Sequence, residues 1–355
     1  MGERYNGIND PLSALGSELL LPSRVFAFGR EAVKASGRLA FPGEPDQLSV
    51  LQDLEQVVEV ELNRHNSTRK PWVPHDFLPL DAEGRIIGHP SRLAPEDQPL
   101  LSETAQAAMI VNLLTEDNLP SYHRVIANNF GIDGPWGTWV NQWTAEEDNH
   151  AYVMRSFLDL TQAINPAQNE QERYAQMLKG YNVEKDPLHT LAYVTFQELA
   201  TRVSHRQTGL AVKNDIADEM LKRIAADENL HMIFYRNLAD AAFDLAPNQM
   251  MRAIADEVID FEMPGSNIAG FQSRSLEIAG AGIYDLRCHK EEVIQPVLKK
   301  WRVFERTDLG PTGEVAREEL AEFLVKLGQQ ASQFEDKRDS GRLARTIEAL
   351  KRRNS

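Results

Sequence analysis

Two tetrapeptides decide most of what this chain can fold into. Glu147-Asp148-Asn149-His150 and Glu228-Asn229-Leu230-His231 both read Glu-x-x-His, each inside a stretch of helical periodicity. Three residues apart on a helix, the two side chains share a face and reach one point. A single pair of this kind is usually a surface feature. Here each follows a lone glutamate embedded in an apolar helical stretch, at nearly the same interval. Glu116 precedes Glu147 by 31 residues, and Glu198 precedes Glu228 by 30. The chain therefore contains one unit twice: a helix with an inward Glu, a return connection, and a helix with Glu-x-x-His. One Glu from each of two helices and a Glu-x-x-His from each of two others form the ligand set of a carboxylate-bridged two-metal site in a four-helix bundle.

Charge supports the metal reading. Four ionised, unpaired carboxylates inside a bundle would cost several kcal/mol each. Two divalent cations balance them with both histidines neutral. Without metal, some of the four glutamates should take up protons. A carboxylate-rich set with imidazole suits iron or manganese better than zinc.

The rest of the pattern is all-α. Residues 48–65 place Leu51, Leu54, Val57/Val58 and Leu62 on one stripe. A Pro- and Gly-rich loop over 70–99 follows. Long helices are expected at 101–129, 138–163, 188–211 and 214–242, and further ones at 248–261, 288–301 and 313–350. Strand-type alternation is almost absent. Pro120, four residues after Glu116, cannot donate to the Glu116 carbonyl, so the first long helix should kink there. The expected organisation is a loosely structured N-terminal extension (1–46), a helical domain (47–335) and a basic tail (336–355).

Composition excludes several classes. The net charge of −15 argues against nucleic acid as the main partner. An acidic protein partner would need a local basic patch, and 336–355 offers seven Lys/Arg against three acids. The simpler reading of that tail is a solvated, frayed end. No run of ~18 apolar residues could form a transmembrane helix. The single cysteine, Cys288, excludes an internal disulfide or a Cys-rich metal site and points to a reducing cytoplasm.

Several segments resemble the soluble acyl-[acyl carrier protein] desaturases, especially actinobacterial members. They are KPWVPHDFLP (70–79), TEDNLPSYH (115–123), WTAEEDNH (143–150), FQELATRVSH (196–205), ADENLHMIFYRNLADAAFDLAPNQ (226–249) and VLKKWRVFER (297–306). The resemblance implies a ferritin-like bundle with two iron ions held by Glu116, Glu147, His150, Glu198, Glu228 and His231, the set the spacing selects. It also implies a place for Thr201 near the oxygen-binding face, where the alternative is a hydroxyl bonded back to its own helix. Asp227 and Trp72 match a relay from the surface to the metals through His150; a core or interface aromatic is the plainer reading of Trp72. The repeat adds an expectation of its own. Glu146 precedes Glu147 as Asp227 precedes Glu228, so Glu146 should hold His231 as Asp227 holds His150. His205 reads as a satisfied buried histidine. The plant pattern is not fully kept, since Asn149 and Leu230 stand where arginines precede the histidines.

The implied activity is O2-dependent introduction of a cis double bond into an acyl chain carried on acyl carrier protein. The implied electron donor is of ferredoxin type, and the implied assembly a homodimer. Three rivals share parts of the pattern: a ferroxidase, which needs a much shorter chain; a ribonucleotide reductase radical subunit, which needs a tyrosine where Met154 stands; and an inactive carrier-binding module, which has no need of six intact ligands.

Overall fold

The structure is a computed structural model describing residues 41–78, 101–161, 163–180, 185–263, 265, 268 and 270–354, with side chains to residue 348. The expected N-terminal extension and the 70–99 loop fall largely outside the described residues. Among those described, every regular element is helical.

Four helices make the centre: α3 (Glu103–Glu116), α5 (Gly134–Thr161), α7 (Pro187–Val212) and α8 (Asp215–Leu245). Before them come α1 (Gln47–Asp53), α2 (Glu55–Thr68) and a 3-10 turn (Pro74–Phe77); α4 (Leu119–Phe130) and α6 (Pro166–Lys179) lie between. After them come α9 (Pro247–Ile259), α10 (Phe271–Gly280), α11 (Leu286–Cys288, a π-helical stretch His289–Ile294, then Gln295–Lys300), α12 (Pro311–Asp339) and α13 (Arg342–Asn354). Helices α7 and α8 form the most extensive pairing, α3 packs on α5 and α7, and α5 packs on α8.

Local chemistry sets the boundaries. Ser102, Asp186 and Asn214 cap α3, α7 and α8 by accepting from the backbone N–H three residues on. Each central helix carries a buried stripe that includes its acidic or imidazole groups. On α5 the stripe runs Val140, Trp143, Glu147, His150, Met154 and Phe157, all nearly inaccessible.

The structure departs from the sequence expectations in identifiable places. The expected 101–129 helix is two helices, α3 and α4. The break follows Glu116, and Pro120 lies in the first turn of α4, as its missing N–H requires. The 48–65 segment is interrupted at Leu54, and 313–350 breaks at Ser340–Gly341, where Gly341 has φ +69°. The rod over 286–300 turns π-helical just before Pro296, which removes one i→i−4 bond. Two helices were not anticipated. α6 buries only Asn169 and Gln176 and so shows no apolar stripe; α10 is a short helix directly after a Gly/Pro-rich segment. Within the tail, Arg342–Asn354 form helix α13, with Leu343 2% exposed.

Candidate metal centre

The six side chains selected by spacing meet at the centre of the bundle. Glu116 ends α3, Glu147 and His150 lie on α5, Glu198 on α7, and Glu228 and His231 on α8; none is more than 6% exposed. They form two overlapping groups. Glu116, Glu147, His150 and Glu228 make one, and Glu147, Glu198, Glu228 and His231 the other. Within each, one ligand-type atom per residue lies within 4.8 Å of the others. Glu147 and Glu228 belong to both groups and would be shared between two bound ions. His150 Nδ1 lies 3.5 Å from Glu147 and 3.6 Å from Glu228. His231 Nδ1 lies 2.8 Å from Glu147 and 3.6 Å from Glu198.

Metal ions fit this arrangement better than protein partners do. Glu147 Oε1, His150 Nδ1, Glu198 Oε2, both Glu228 oxygens and His231 Nδ1 are buried without a hydrogen bond. Buried polar groups normally have partners. Six orphans aimed at one small volume are the mark of a site for cations. The electrostatics agree. Burial pushes Glu116 upward, and burial plus the Glu228 charge pushes Glu198 well above the carboxylate range. Burial acts most strongly on Glu147 too, but the charge and contacts of His150 together with His231 outweigh it and hold Glu147 low. Burial opposes charge on both imidazoles, yet the Glu147 charge raises His150 and the Glu146 hydrogen bond raises His231. The histidines thus do part of the work that cations would do.

A surrounding layer orients the six. Asp227 Oδ2 lies 3.6 Å from His150 Nε2 and accepts from Trp72 Nε1 at 2.6 Å; Arg223 pairs with its other oxygen. The half-buried Trp72 indole lies nearly parallel to the His150 ring, 8° apart with centroids at 6.3 Å. On the opposite side Glu146 Oε2 lies 2.9 Å from His231 Nε2, as the repeat leads one to expect. His205 Nε2 lies 2.8 Å from Glu116 Oε1; burial lowers this imidazole, but the hydrogen bonds and charges of Glu116 and Glu228 together outweigh it and push it up to about 9. The Thr201 hydroxyl donates to the backbone carbonyls of Gln197 and Glu198 at 3.2 and 3.0 Å.

Sequence reasoning missed several supports. Trp143 donates to Glu198 Oε1 at 3.1 Å. It sits one turn before Glu147, a spacing that could have flagged it. His65 lies 3.0 Å from Glu146 and stacks on His231, with centroids at 5.8 Å. It continues the stripe of Leu51, Leu54, Val58 and Leu62, where a histidine is conspicuous. Arg69, which also pairs with Glu146, had no such signal.

An apolar cavity of about 70 Å³ opens beside the cluster, between α3, α7 and α10, and reaches Glu116 and Thr201. A second, of about 20 Å³, lies on the other side, lined by Ile126, Trp143, Tyr193 and Gln197 among others. One face of α7 (Tyr193, Gln197, Thr201, His205) runs past both, with Glu198 between.

An all-α bundle that gathers four carboxylates and two imidazoles beside an apolar cavity defines a class: helical proteins built to hold metals against an apolar substrate. The chain belongs to the fatty acid desaturase family, whose pattern matches residues 46–350. DesA1 of Mycobacterium tuberculosis, assigned as an acyl-[acyl-carrier-protein] desaturase, is 45% identical over 310 residues, covering 84% of this chain and 92% of DesA1. The chloroplastic stearoyl-[acyl-carrier-protein] 9-desaturase 1 of Arabidopsis thaliana is 26% identical over 336 residues, covering 88% and 82%. The X-ray structure of DesA2 from M. tuberculosis superposes with a TM-score of 0.59 at 26% identity, covering 76% of this chain and 99% of DesA2. These likenesses make the chain a desaturase on a ferritin-like scaffold. Among the described residues no helix is long and apolar enough to cross a membrane.

Proposed function

We propose that this chain is an O2-dependent desaturase of fatty acyl groups carried on acyl carrier protein. Two iron ions would be held by Glu116, Glu147, His150, Glu198, Glu228 and His231. One observation carries the reading. The two metal-binding groups share Glu147 and Glu228, and an apolar cavity meets the cluster at Glu116. Bound there, the metals supply activation of O2 and removal of hydrogen from unactivated carbons. The overall reaction balances as follows: two C–H bonds break on adjacent carbons and a cis double bond forms. O2 takes the two hydrogens together with two electrons and two protons, and leaves as two waters. The electrons come from a ferredoxin-type donor, and the enzyme works as a homodimer in the cytoplasm.

The chain's own residues do the positioning. Met263, Phe271 and Ile278 line the cavity, exclude water and direct an acyl chain along α7. Glu146 holds the His231 imidazole by its outer nitrogen, and Asp227, anchored by Trp72, faces the outer nitrogen of His150 at 3.6 Å; both arrangements aim the inner nitrogens at the cluster. His205 holds Glu116, and Trp143 holds Glu198. Trp72 joins Asp227 to the protein surface and supports an electron route to that side of the centre.

The test is turnover. Protein loaded with iron and supplied with reduced ferredoxin and O2 is given acyl carrier proteins bearing different chains. Mass spectrometry is expected to show loss of two hydrogens, absent in Glu228→Ala. Iron oxidation with no change in any acyl chain would instead establish a ferroxidase. Full iron loading with carrier binding and neither activity would establish a binding module.

A further inference from the structure

The C-terminal helix is a feature the proposed chemistry leaves unused. The chain as a whole carries −15, yet α13 (Arg342–Asn354) holds five Lys/Arg against one acid. This basic segment is fastened at a specific place. Leu343 and Ile347 of α13 pack on Leu276 and Ala279 of α10 and on Phe334 of α12. Gly280 also faces this contact, its Cβ position lying 3.4 Å from Leu343 and Ile347. Helix α10 is consequently two-faced. Phe271, Ser275 and Ile278, at i, i+4 and i+7, line the apolar cavity. Leu276, Ala279 and Gly280 receive α13. The basic helix thus lies one helix diameter, ~10 Å, from the cavity wall. Arg342 and Arg345 are exposed, away from the buried stripe.

From this placement we propose that α13 is the docking element for an acyl carrier protein that presents an acidic face, and whose acyl group enters the cavity beneath α10. The inference rests on the desaturase reading and adds to it a surface and a recognition chemistry. Charge complementarity steers such an encounter and orients it. It matters more on a body of net negative charge, which on the whole repels an acidic partner. Two competing assignments fit less well. A ferredoxin-type donor would use the arm of Trp72, which packs against Phe77, His150 and Asp227 in a different layer of the fold. The groove lined by Arg202, Arg206 and Lys222 is also lined by Glu292, and its Arg206 is paired with Asp218.

The experiment compares the iron-loaded full chain with two charge-reversal pairs, R342E/R345E and R202E/K222E. Binding of fluorescein-labelled stearoyl- and palmitoyl-[acyl carrier protein] is followed by anisotropy at low and physiological salt. The wild type should bind, and R342E/R345E should bind about tenfold more weakly at low salt. The gap should narrow as the screening length falls to ~8 Å at physiological ionic strength. R202E/K222E should bind as the wild type does. The milder R342Q/R345Q should fall between, which guards against a folding artefact. Unchanged affinity in R342E/R345E, or weakening only in R202E/K222E, overturns the proposal while leaving the desaturase reading standing. So does a slower reduction by ferredoxin in R342E/R345E with carrier affinity intact, which would assign α13 to the electron donor. If the wild type binds neither acyl carrier, the desaturase reading fails and the docking proposal fails with it.

Discussion

Replacing Glu198 by Gln should raise the stability of the metal-free protein and lower that of the loaded one. Glu198 is fully buried, crowded by Glu147 and Glu228, and held by Trp143 through an oxygen that an amide also offers. In the metal-free state the substitution removes one buried acid from an overcrowded set, a gain of about 1–3 kcal/mol. With an unfolding entropy near ~2.1 cal/mol/K per residue, a folded body of ~300 residues shifts by roughly 1.6 °C per kcal/mol. The metal-free variant should therefore melt ~2–5 °C above wild type. Loading reverses the order. An ion at a thousandfold excess over its Kd adds ~4 kcal/mol, so two ions raise the wild type by ~13 °C. Glu198 serves only one of the two groups, so the variant keeps one ion and rises by roughly half as much. Anaerobic melts by circular dichroism, with chelator and then with excess Fe2+, read both states. A variant that melts below wild type without metal, yet gains as much from Fe2+, would refute the idea that these carboxylates converge on cations.

Three other outcomes follow from the same geometry. Iron bound per chain should be near two in wild type, near one in Glu116→Ala and Glu198→Ala, and near zero in Glu147→Ala and Glu228→Ala, because only the last two residues belong to both groups; metal analysis after desalting reads this directly. Asp227→Asn and Trp72→Phe should keep their iron but lose ~10–100-fold in turnover, with the loss seen as slower reduction of the loaded protein by ferredoxin in stopped flow. Burial pushes the His289 imidazole down to about 4, while in the unfolded chain it titrates near 6.5. Its neutral form is favoured in the fold, so the stability it allows is complete above pH ~6.5 and falls by up to ~3 kcal/mol as pH drops toward 4; urea titrations of His289→Gln should show a shallower acid limb than wild type.

The centre was legible from sequence, while much of its surroundings was not, and the reason is physical. A charged residue on a buried helical stripe is costly, so Glu116, Glu147, Glu198 and Glu228 announce themselves against the apolar residues three and four positions away. Pro120 likewise announces the break after Glu116 through a donor that cannot exist. By contrast α6 buries only the polar Asn169 and Gln176 and so leaves no apolar stripe to find. The connection of Arg69 to Glu146 spans 77 residues with nothing in the local pattern to mark it.

The repeat reaches further than the six residues that reveal it, and its imperfection is informative. Asp227 behind His150 is matched by Glu146 behind His231, Arg223 by Arg69, and the near-parallel ring of Trp72 by that of His65 at 18°. An acid on each outer imidazole nitrogen keeps both inner nitrogens aimed at the cluster, so this layer has the same task in both halves. The aromatic layer behind it does not. Trp72 is half-buried and touches the surface, whereas His65 is completely enclosed and meets Trp139 edge-on. A symmetrical core would need the two arms only for support, and two buried rings would serve. Of the two rings only Trp72 opens to solvent, which puts the aromatic line to the outside on the His150 side. The cavity beside Glu116 reaches the group that also contains His150. The cavity at Glu116 and the surface-linked aromatic arm therefore converge on the same half of the cluster.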